Sequence, residues 1–314
     1  MTEKLDYIYP DKSGYKIRIV SLVPNKPKRL FLVPPLVGAS GILAIKTFRY
    51  FFREGCALMS FDYCGHCAEI DNKFSIEGTF TDTEIALTHA SECARSMGIP
   101  LHVAVVCYGA IPLVHVLNKL KWPQEVKSML SVSGLLGINE ILSFDEYKFH
   151  LRKRGLFLEN KAEFINLLST DERSFVSNKQ NYIEALTDYL LELFIELSNI
   201  ISYKRFGILE YSRAEFYKTF YEFMTTNLPE KIVIPAHFPC LFFVGVQDQI
   251  LNLQIEESRV EYLRKIKEIA PHAQLHNLKI DHFGRGKDHY LIGEEGMKFL
   301  RSNDAGSSEN GRKK

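Results

Sequence analysis

Cys107 is the residue of this sequence best placed to act as a nucleophile. The surrounding segment, residues 101–114, reads LHVAVVCYGAIPLV, which predicts a buried strand, a tight turn and then a helix. Cys107 falls at the turn, where a strand-to-helix bend would lift its side chain clear of the backbone. The free N–H groups and the positive end of the following helix would favour a thiolate there. The alternative is a buried cysteine that acts only as a small hydrophobic residue.

The elements around this turn alternate apolar strands with helices. Helical patterns without a convincing strand fill residues 139–232. We therefore expect an α/β fold with a mostly parallel sheet flanked by helices, formed by residues 1–138 and 233–302. A helical cap at 139–232 would follow the sixth strand, and the polar residues 303–314 would form a disordered tail. The predicted strands are 15–23, 29–33, 57–61, 103–106, 128–132, 240–244 and 274–278.

Composition narrows the class of protein. The chain has 314 residues, of which 46% are apolar and 25% charged, enough for a sizeable core. Its net charge of +1 and its lack of a basic block argue against a nucleic-acid partner. Six cysteines are too few for a disulfide framework. With no apolar signal core at the start and no long apolar run, we expect a soluble, cytoplasmic protein without a membrane span.

Four segments resemble the α/β-hydrolase superfamily, in the order that the superfamily has them. The first three are a strand with an oxyanion-type loop, a segment close to D-x-R-G-H-G, and the turn at Cys107. The fourth is a pair of segments after the last two strands. Besides the turn at Cys107, the segments are Phe31–Ser40 for the loop, Ser60–Cys67 for the D-x-R-G-H-G-like segment, and Val244–Ile250 and Ile280–Gly286 for the final pair.

The resemblance implies a catalytic triad of Cys107, Asp248 and His282, because the partners follow in the order nucleophile, acid, histidine. Asp248 comes just past a strand, and His282 lies between the last strand and a closing helix. Each could instead be an ordinary loop residue. His289 is the rival base, but His282 lies closer to the strand end and leaves room for a full closing helix at 291–300.

The resemblance also implies an oxyanion hole formed by the backbone N–H groups of Leu36 and Tyr108. Three positions depart from the superfamily's pattern. Pro34 and Pro35 replace the usual His-Gly and offer no N–H, and Val105 occupies a position that is usually small. A rigid loop without a catalytic part is the alternative here.

A metal site is the other chemistry that the sequence could suggest. Residues Cys64-Gly-His-Cys67 contain a C-x-x-C pair with an intervening histidine, but no second ligand pair follows at metal-site spacing. We therefore expect neither a metal nor a cofactor.

These features favour an acyl-transfer enzyme, a thioesterase or acyltransferase, that forms a covalent acyl-Cys intermediate at Cys107. Its substrate would be a small acyl thioester or ester, with acyl-CoA or acyl-carrier protein as candidate donors, and the helical insertion would supply the acyl pocket. In layout the chain loosely resembles bacterial acyl-protein thioesterases and acyltransferases, which use serine. Two alternatives stay open: an esterase or lactonase, and a catalytically silent binding protein that holds a small ligand in the same cleft.

Overall fold

The computed structural model describes residues 16–36, 39–66, 75–134, 232–248, 251, 253–254, 256–282 and 284–304, together with the backbone of 2–8 and 305–310. The chain divides into two compact units, one formed by residues 1–136 and 230–314 and the other by 137–229. The predicted helical cap falls almost entirely outside the described residues.

One sheet organises the described part of this unit. Its eight strands lie in the order β1-β2-β4-β3-β5-β6-β7-β8. β2 is antiparallel to both of its neighbours, and every other pair is parallel. The strands are β1 (Thr2–Ile8), β2 (Ile17–Val23), β3 (Arg29–Leu32), β4 (Cys56–Phe61), β5 (Leu101–Val106), β6 (Val126–Val132), β7 (Cys240–Gly245) and β8 (Gln274–Leu278).

The predicted mostly parallel α/β sheet is confirmed, and its interior strands are apolar for a physical reason. Every residue of β4, β5 and β7 is buried, because helices cover both faces of a parallel sheet.

The first strand was not predicted. It pairs with β2 along its whole length, from Thr2↔Val23 to Ile8↔Ile17, so its conformation depends on a partner strand more than on its own mixed pattern.

Six helices accompany the sheet in the described residues, and α3 shows why they start and stop where they do. Its N-cap Ser75 accepts a hydrogen bond from the Gly78 N–H at 3.0 Å, and Gly98 ends it with a left-handed φ of 66°. None of the described helices is long and apolar enough to cross a bilayer. The helices are α1 (Gly41–Thr47), α2 (Arg49–Arg53), α3 (Ile76–Met97), α4 (Ala110–Lys119), α5 (Glu256–Ile269) and α6 (His289–Asn310).

The chain's last helix extends further than the sequence predicted. α6 continues to Asn310, whereas the polar residues from Asn303 onward were expected to be disordered. Two contacts bind the first two of these residues. Arg29 Nε donates to Asp304 Oδ2 at 3.0 Å, and Asn303 Nδ2 donates to the Phe299 carbonyl at 2.9 Å. The first of these partners is distant in sequence, so local composition gave no sign of it.

Candidate active site

Cys107 lies at the junction between strand β5 and helix α4. A single 3-10 turn, Cys107–Gly109, joins the two elements. The backbone of Cys107 has a φ of 53°, in the left-handed region that a residue with a side chain rarely adopts. Its side chain is half-buried, whereas Cys56, Cys64 and Cys240 are buried. The bend therefore presents this sulfur at the surface of the core, at a cost in backbone strain.

Gly109 explains how the loop after β3 comes to lie against this turn. A Cβ at position 109 would stand 2.9 Å from the carbonyl oxygen of Pro34 and 3.2 Å from that of Pro35. Only glycine permits so close an approach. Leu36 follows in the same loop and is buried. The structure thus packs the loop that carries Leu36 against the turn that carries Tyr108, as an oxyanion hole requires.

Asp248 and His282 form the hydrogen-bonded pair that the triad needs. His282 Nδ1 lies 2.8 Å from Asp248 Oδ2, and both side chains are buried. The other carboxylate oxygen, Asp248 Oδ1, accepts the Leu251 N–H at 2.9 Å. Asp248 follows β7 and His282 follows β8, so adjacent parallel strands deliver both groups to the same edge of the sheet. The carboxylate is held from two sides and fixes the ring in turn.

The surroundings of His282 favour its protonated form. Burial by itself would lower the pKa of His282, but the Asp248 carboxylate and the Cys107 sulfur outweigh it through charge and hydrogen bonding. The pKa of His282 therefore lies well above its ordinary value. Because Nδ1 is directed at Asp248, Nε2 is the ring nitrogen that a reaction at Cys107 would use. The arrangement suits a histidine that holds a proton beside a nucleophilic sulfur.

The rival base lies elsewhere. His289 is exposed at the start of α6, and its Nδ1 is 2.9 Å from the Gly286 carbonyl oxygen. The neighbouring Asp288 accepts the backbone N–H of Lys279 at 2.8 Å. The structure therefore brings His282 to Asp248 and Cys107, and gives His289 a local turn contact instead.

The large residue at position 105 is accommodated inside the sheet. Val105 is fully buried in β5 and is paired in register with Ser131 of β6. Paired residues of adjacent strands share a face of the sheet, so a small neighbour lies beside the larger side chain. The departure from the superfamily's pattern at this position does not prevent the elbow from forming.

The segment after β4 supports the fold around the site. The buried Asp62 pairs with Arg18 and accepts the Gly41 N–H at 2.8 Å, at the start of α1. Burial lowers the pKa of His66 to about 4, and its Nδ1 lies 3.2 Å from the Cys64 carbonyl oxygen. Cys67 falls outside the described residues. Within the described ranges, no group of three or more His, Cys, Asp or Glu side chains could hold a metal ion.

Sequence reasoning missed Tyr262, on helix α5. Its hydroxyl donates to the Gly134 carbonyl at 2.7 Å. Burial raises the pKa of Tyr262, and so do the nearby charges of Asp248 and Cys107, two residues of the predicted triad. Position 262 falls in an ordinary amphipathic helix, so only the tertiary structure singles it out.

Comparison of the sequence with models of known families finds no match, and comparison with curated proteins finds none either. Solved structures do match over nearly the whole chain. A thermophilic esterase from Thermogutta terrifontis superposes with a TM-score of 0.55 at 12% identity, covering 96% of this chain and 99% of that one.

Two further structures match to a similar degree. The enol-lactonase from Burkholderia xenovorans gives a TM-score of 0.55 at 12% identity, over 92% of this chain and 98% of that one. An epoxide hydrolase from Bacillus megaterium gives a TM-score of 0.54 at 13% identity, over 94% of this chain and 100% of that one. Likeness at such low identity concerns the fold. The chain has the α/β-hydrolase fold.

Proposed function

We propose that this protein is an acyl-transfer enzyme, a thioesterase or acyltransferase, that works through a covalent acyl-Cys107 intermediate. One observation carries the proposal. A buried histidine, His282, is hydrogen-bonded to the Asp248 carboxylate through Nδ1, and the nearby Cys107 sulfur contributes to its raised pKa. A cysteine raised on a strand-to-helix bend beside such a pair is the arrangement that nucleophilic catalysis needs.

The acylation step uses each part of the site. The Cys107 thiolate attacks the carbonyl carbon of a thioester or ester, forming an S–C bond while the C=O electron pair moves onto oxygen. The N–H groups of Leu36 and Tyr108 would stabilise this oxyanion. When the C=O bond re-forms, the bond to the leaving group breaks. The departing thiolate or alkoxide takes the proton from His282.

The second half-reaction returns the enzyme to its starting state. His282, now neutral, accepts a proton from water or from an acceptor nucleophile as that group attacks the thioester carbonyl. The new tetrahedral intermediate collapses, the S–C bond breaks and Cys107 leaves as the thiolate. Asp248 stabilises the imidazolium whenever His282 carries the extra proton. No cofactor takes part in these steps.

The sulfur nucleophile favours thioester chemistry over plain ester hydrolysis. An acyl-Cys intermediate is itself a thioester, so exchange with thioester donors such as acyl-CoA or acyl-carrier protein is nearly balanced in energy. A nucleophile that depends on a reduced thiol also suits a reducing compartment. We therefore propose a cytoplasmic enzyme that acts on small acyl thioesters.

An esterase or lactonase is the second candidate, and the likeness to an esterase and an enol-lactonase favours it. Both candidates pass through the same acyl-Cys107 intermediate and differ in the donor that forms it. The third candidate, a silent binding protein, forms no such intermediate. Donor preference and covalent labelling therefore separate the three.

The test is intact-mass spectrometry of the protein after exposure to acyl-CoA, acyl-carrier-protein and simple ester donors. We expect an adduct of one acyl group with the thioester donors, absent from Cys107→Ala. Cys93→Ala is the matched control, because Cys93 is also half-buried but lies on α3. Preference for ester donors would support the esterase, and no adduct with any donor would contradict catalysis.

A further inference from the structure

The side chain of Tyr108 is anchored underneath the proposed oxyanion hole. Tyr108 follows Cys107 directly, and its side chain is fully buried. Its hydroxyl lies 2.7 Å from Thr79 Oγ1, on helix α3 and 29 residues away in sequence. A buried hydroxyl of this kind needs a partner, and here that partner comes from a different element of the fold.

The direction of this hydrogen bond follows from the rest of Thr79's contacts. Thr79 Oγ1 donates to the Ile76 carbonyl oxygen at 2.7 Å. A threonine hydroxyl carries a single hydrogen, so Thr79 accepts in its contact with Tyr108 and the phenol donates. The chain of bonds runs from the Tyr108 hydroxyl through Thr79 to the backbone at the first turn of α3.

The ring of Tyr108 is held from a second side as well. Tyr63 meets it edge to face, with ring centroids 5.9 Å apart and planes inclined by 76°. His66 in turn meets Tyr63 edge to face at 5.7 Å. The segment after β4 that resembles the superfamily therefore packs behind the elbow. The contact with Tyr63 and the hydrogen bond to Thr79 together hold the Tyr108 side chain in place.

We infer that Thr79 is a positioning residue that fixes the backbone N–H of Tyr108 as an oxyanion donor by hydrogen-bonding the Tyr108 phenol. The inference rests on the proposed acyl-transfer function. Cys107 is held at a left-handed φ of 53°, a strained conformation that persists only where neighbouring contacts fix it. The phenol anchors the next residue, whose N–H must meet a developing charge within a few tenths of an ångström.

The experiment compares two reactions of Cys107. Acylation by a thioester donor passes through a tetrahedral oxyanion, whereas alkylation by iodoacetamide displaces iodide without one. Both consume the same thiolate. The ratio of the two rates on the folded protein therefore reports the oxyanion hole separately from the reactivity or exposure of the sulfur.

The variants are Thr79→Val, Tyr108→Phe and the double variant. We expect each single variant to slow acylation about tenfold, part of the roughly 100-fold or greater loss that follows removal of a whole oxyanion donor. Alkylation should keep the wild-type rate. Because both changes break the same hydrogen bond, the double variant should be no slower than the slower single variant. Thr79→Ser, which keeps the hydroxyl, should restore acylation.

The matched control is Thr81→Val. Thr81 lies two residues away on α3, exposed, with its hydroxyl bonded to the Glu77 carbonyl, and its loss should change neither rate. Wild-type acylation in both Thr79→Val and Tyr108→Phe would overturn the inference alone, as would equal slowing of acylation and alkylation. Absence of an acyl adduct on the wild-type protein would overturn the proposed function, and this inference with it.

Discussion

His282 Nδ1 lies 2.8 Å from Asp248 Oδ2, although 34 residues separate the two along the chain. Both side chains are buried. A carboxylate in such surroundings is stabilised only by its partners, and Asp248 has the imidazole on one oxygen and the Leu251 N–H on the other. The pair is thus organised before any substrate arrives, which is the property that the proposed proton transfer at Cys107 requires.

Replacing the carboxylate should disable the site without unfolding it. In Asp248→Asn the amide cannot stabilise a charged imidazole and favours the wrong tautomer of His282. We expect acylation of Cys107 to slow roughly 100-fold or more. The rate is measured by mass spectrometry of samples quenched at successive times. His289→Ala is the control and should acylate at the wild-type rate. Loss of acylation in His289→Ala would show that the base has been misassigned.

Gly109 should prove necessary for the elbow as a whole. In Gly109→Ala the new methyl group would meet the Pro34 carbonyl oxygen at 2.9 Å, so the loop after β3 must move. We expect a loss of about 1–3 kcal/mol in unfolding free energy together with slower acylation. Gly98→Ala offers the contrast, because a Cβ there meets nothing within 4 Å and only the φ of 66° opposes it. That variant should lose stability while the folded protein keeps its acylation rate, as urea unfolding and kinetics on the same samples can test.

Two buried histidines should make the fold sensitive to acid. Burial lowers the pKa of His66 and of His102 to about 4, below the unfolded value of about 6.5. The unfolded chain therefore binds more protons between these values, and stability falls as pH drops from about 6.5 toward about 4. We expect this loss in urea midpoints measured between pH 7.5 and 4.5.

Removing one of these histidines should weaken the dependence of the unfolding free energy on pH. His102→Asn removes one titrating group, although its hydrogen bond to Ser128, 2.8 Å long, is also altered. The slope of stability against pH between about 4 and 6.5 should decrease, whatever the change at neutral pH. An unaltered slope in His102→Asn would contradict the assignment of this group.

The contact between Arg29 and Asp304 should hold the end of α6. In Asp304→Asn the charge is lost, and we expect a decrease of about 1 kcal/mol in unfolding free energy. Hydrogen exchange of residues 303–310 should become faster while β5 stays protected. The more exposed pair between Arg301 and Glu54, at 3.5 Å, provides the comparison, and Glu54→Gln should have a smaller effect. Unchanged exchange in Asp304→Asn would mean that the helix end is held by other contacts.

Local patterns were sufficient to predict most of the sheet and the position of Cys107. Continuous apolar runs identify β4, β5 and β7 because those strands are buried on both faces. The bend at Cys107 is visible because strand, turn and helix follow one another within a few residues. The resemblance to the superfamily then pointed to Asp248 and His282, which the structure brings together.

What the sequence did not reveal depends on distant partners. β1 forms by pairing with β2, and Asp304 of α6 is bound to Arg29, a contact spanning 275 residues. Thr79 and Tyr262 lie on helices whose patterns are ordinary, and only packing places them near the elbow. Such contacts leave no periodic trace, so they could not be predicted from spacing alone.

The most direct test of the acyl-Cys mechanism is time-resolved peptide mapping of the protein mixed with a thioester donor and quenched in acid. Our account predicts an acyl group on the peptide that contains Cys107. It should form faster than the donor turns over in the steady state and should disappear when excess acceptor is added. An acyl group on another residue, or steady turnover without any acylated Cys107, would contradict the account.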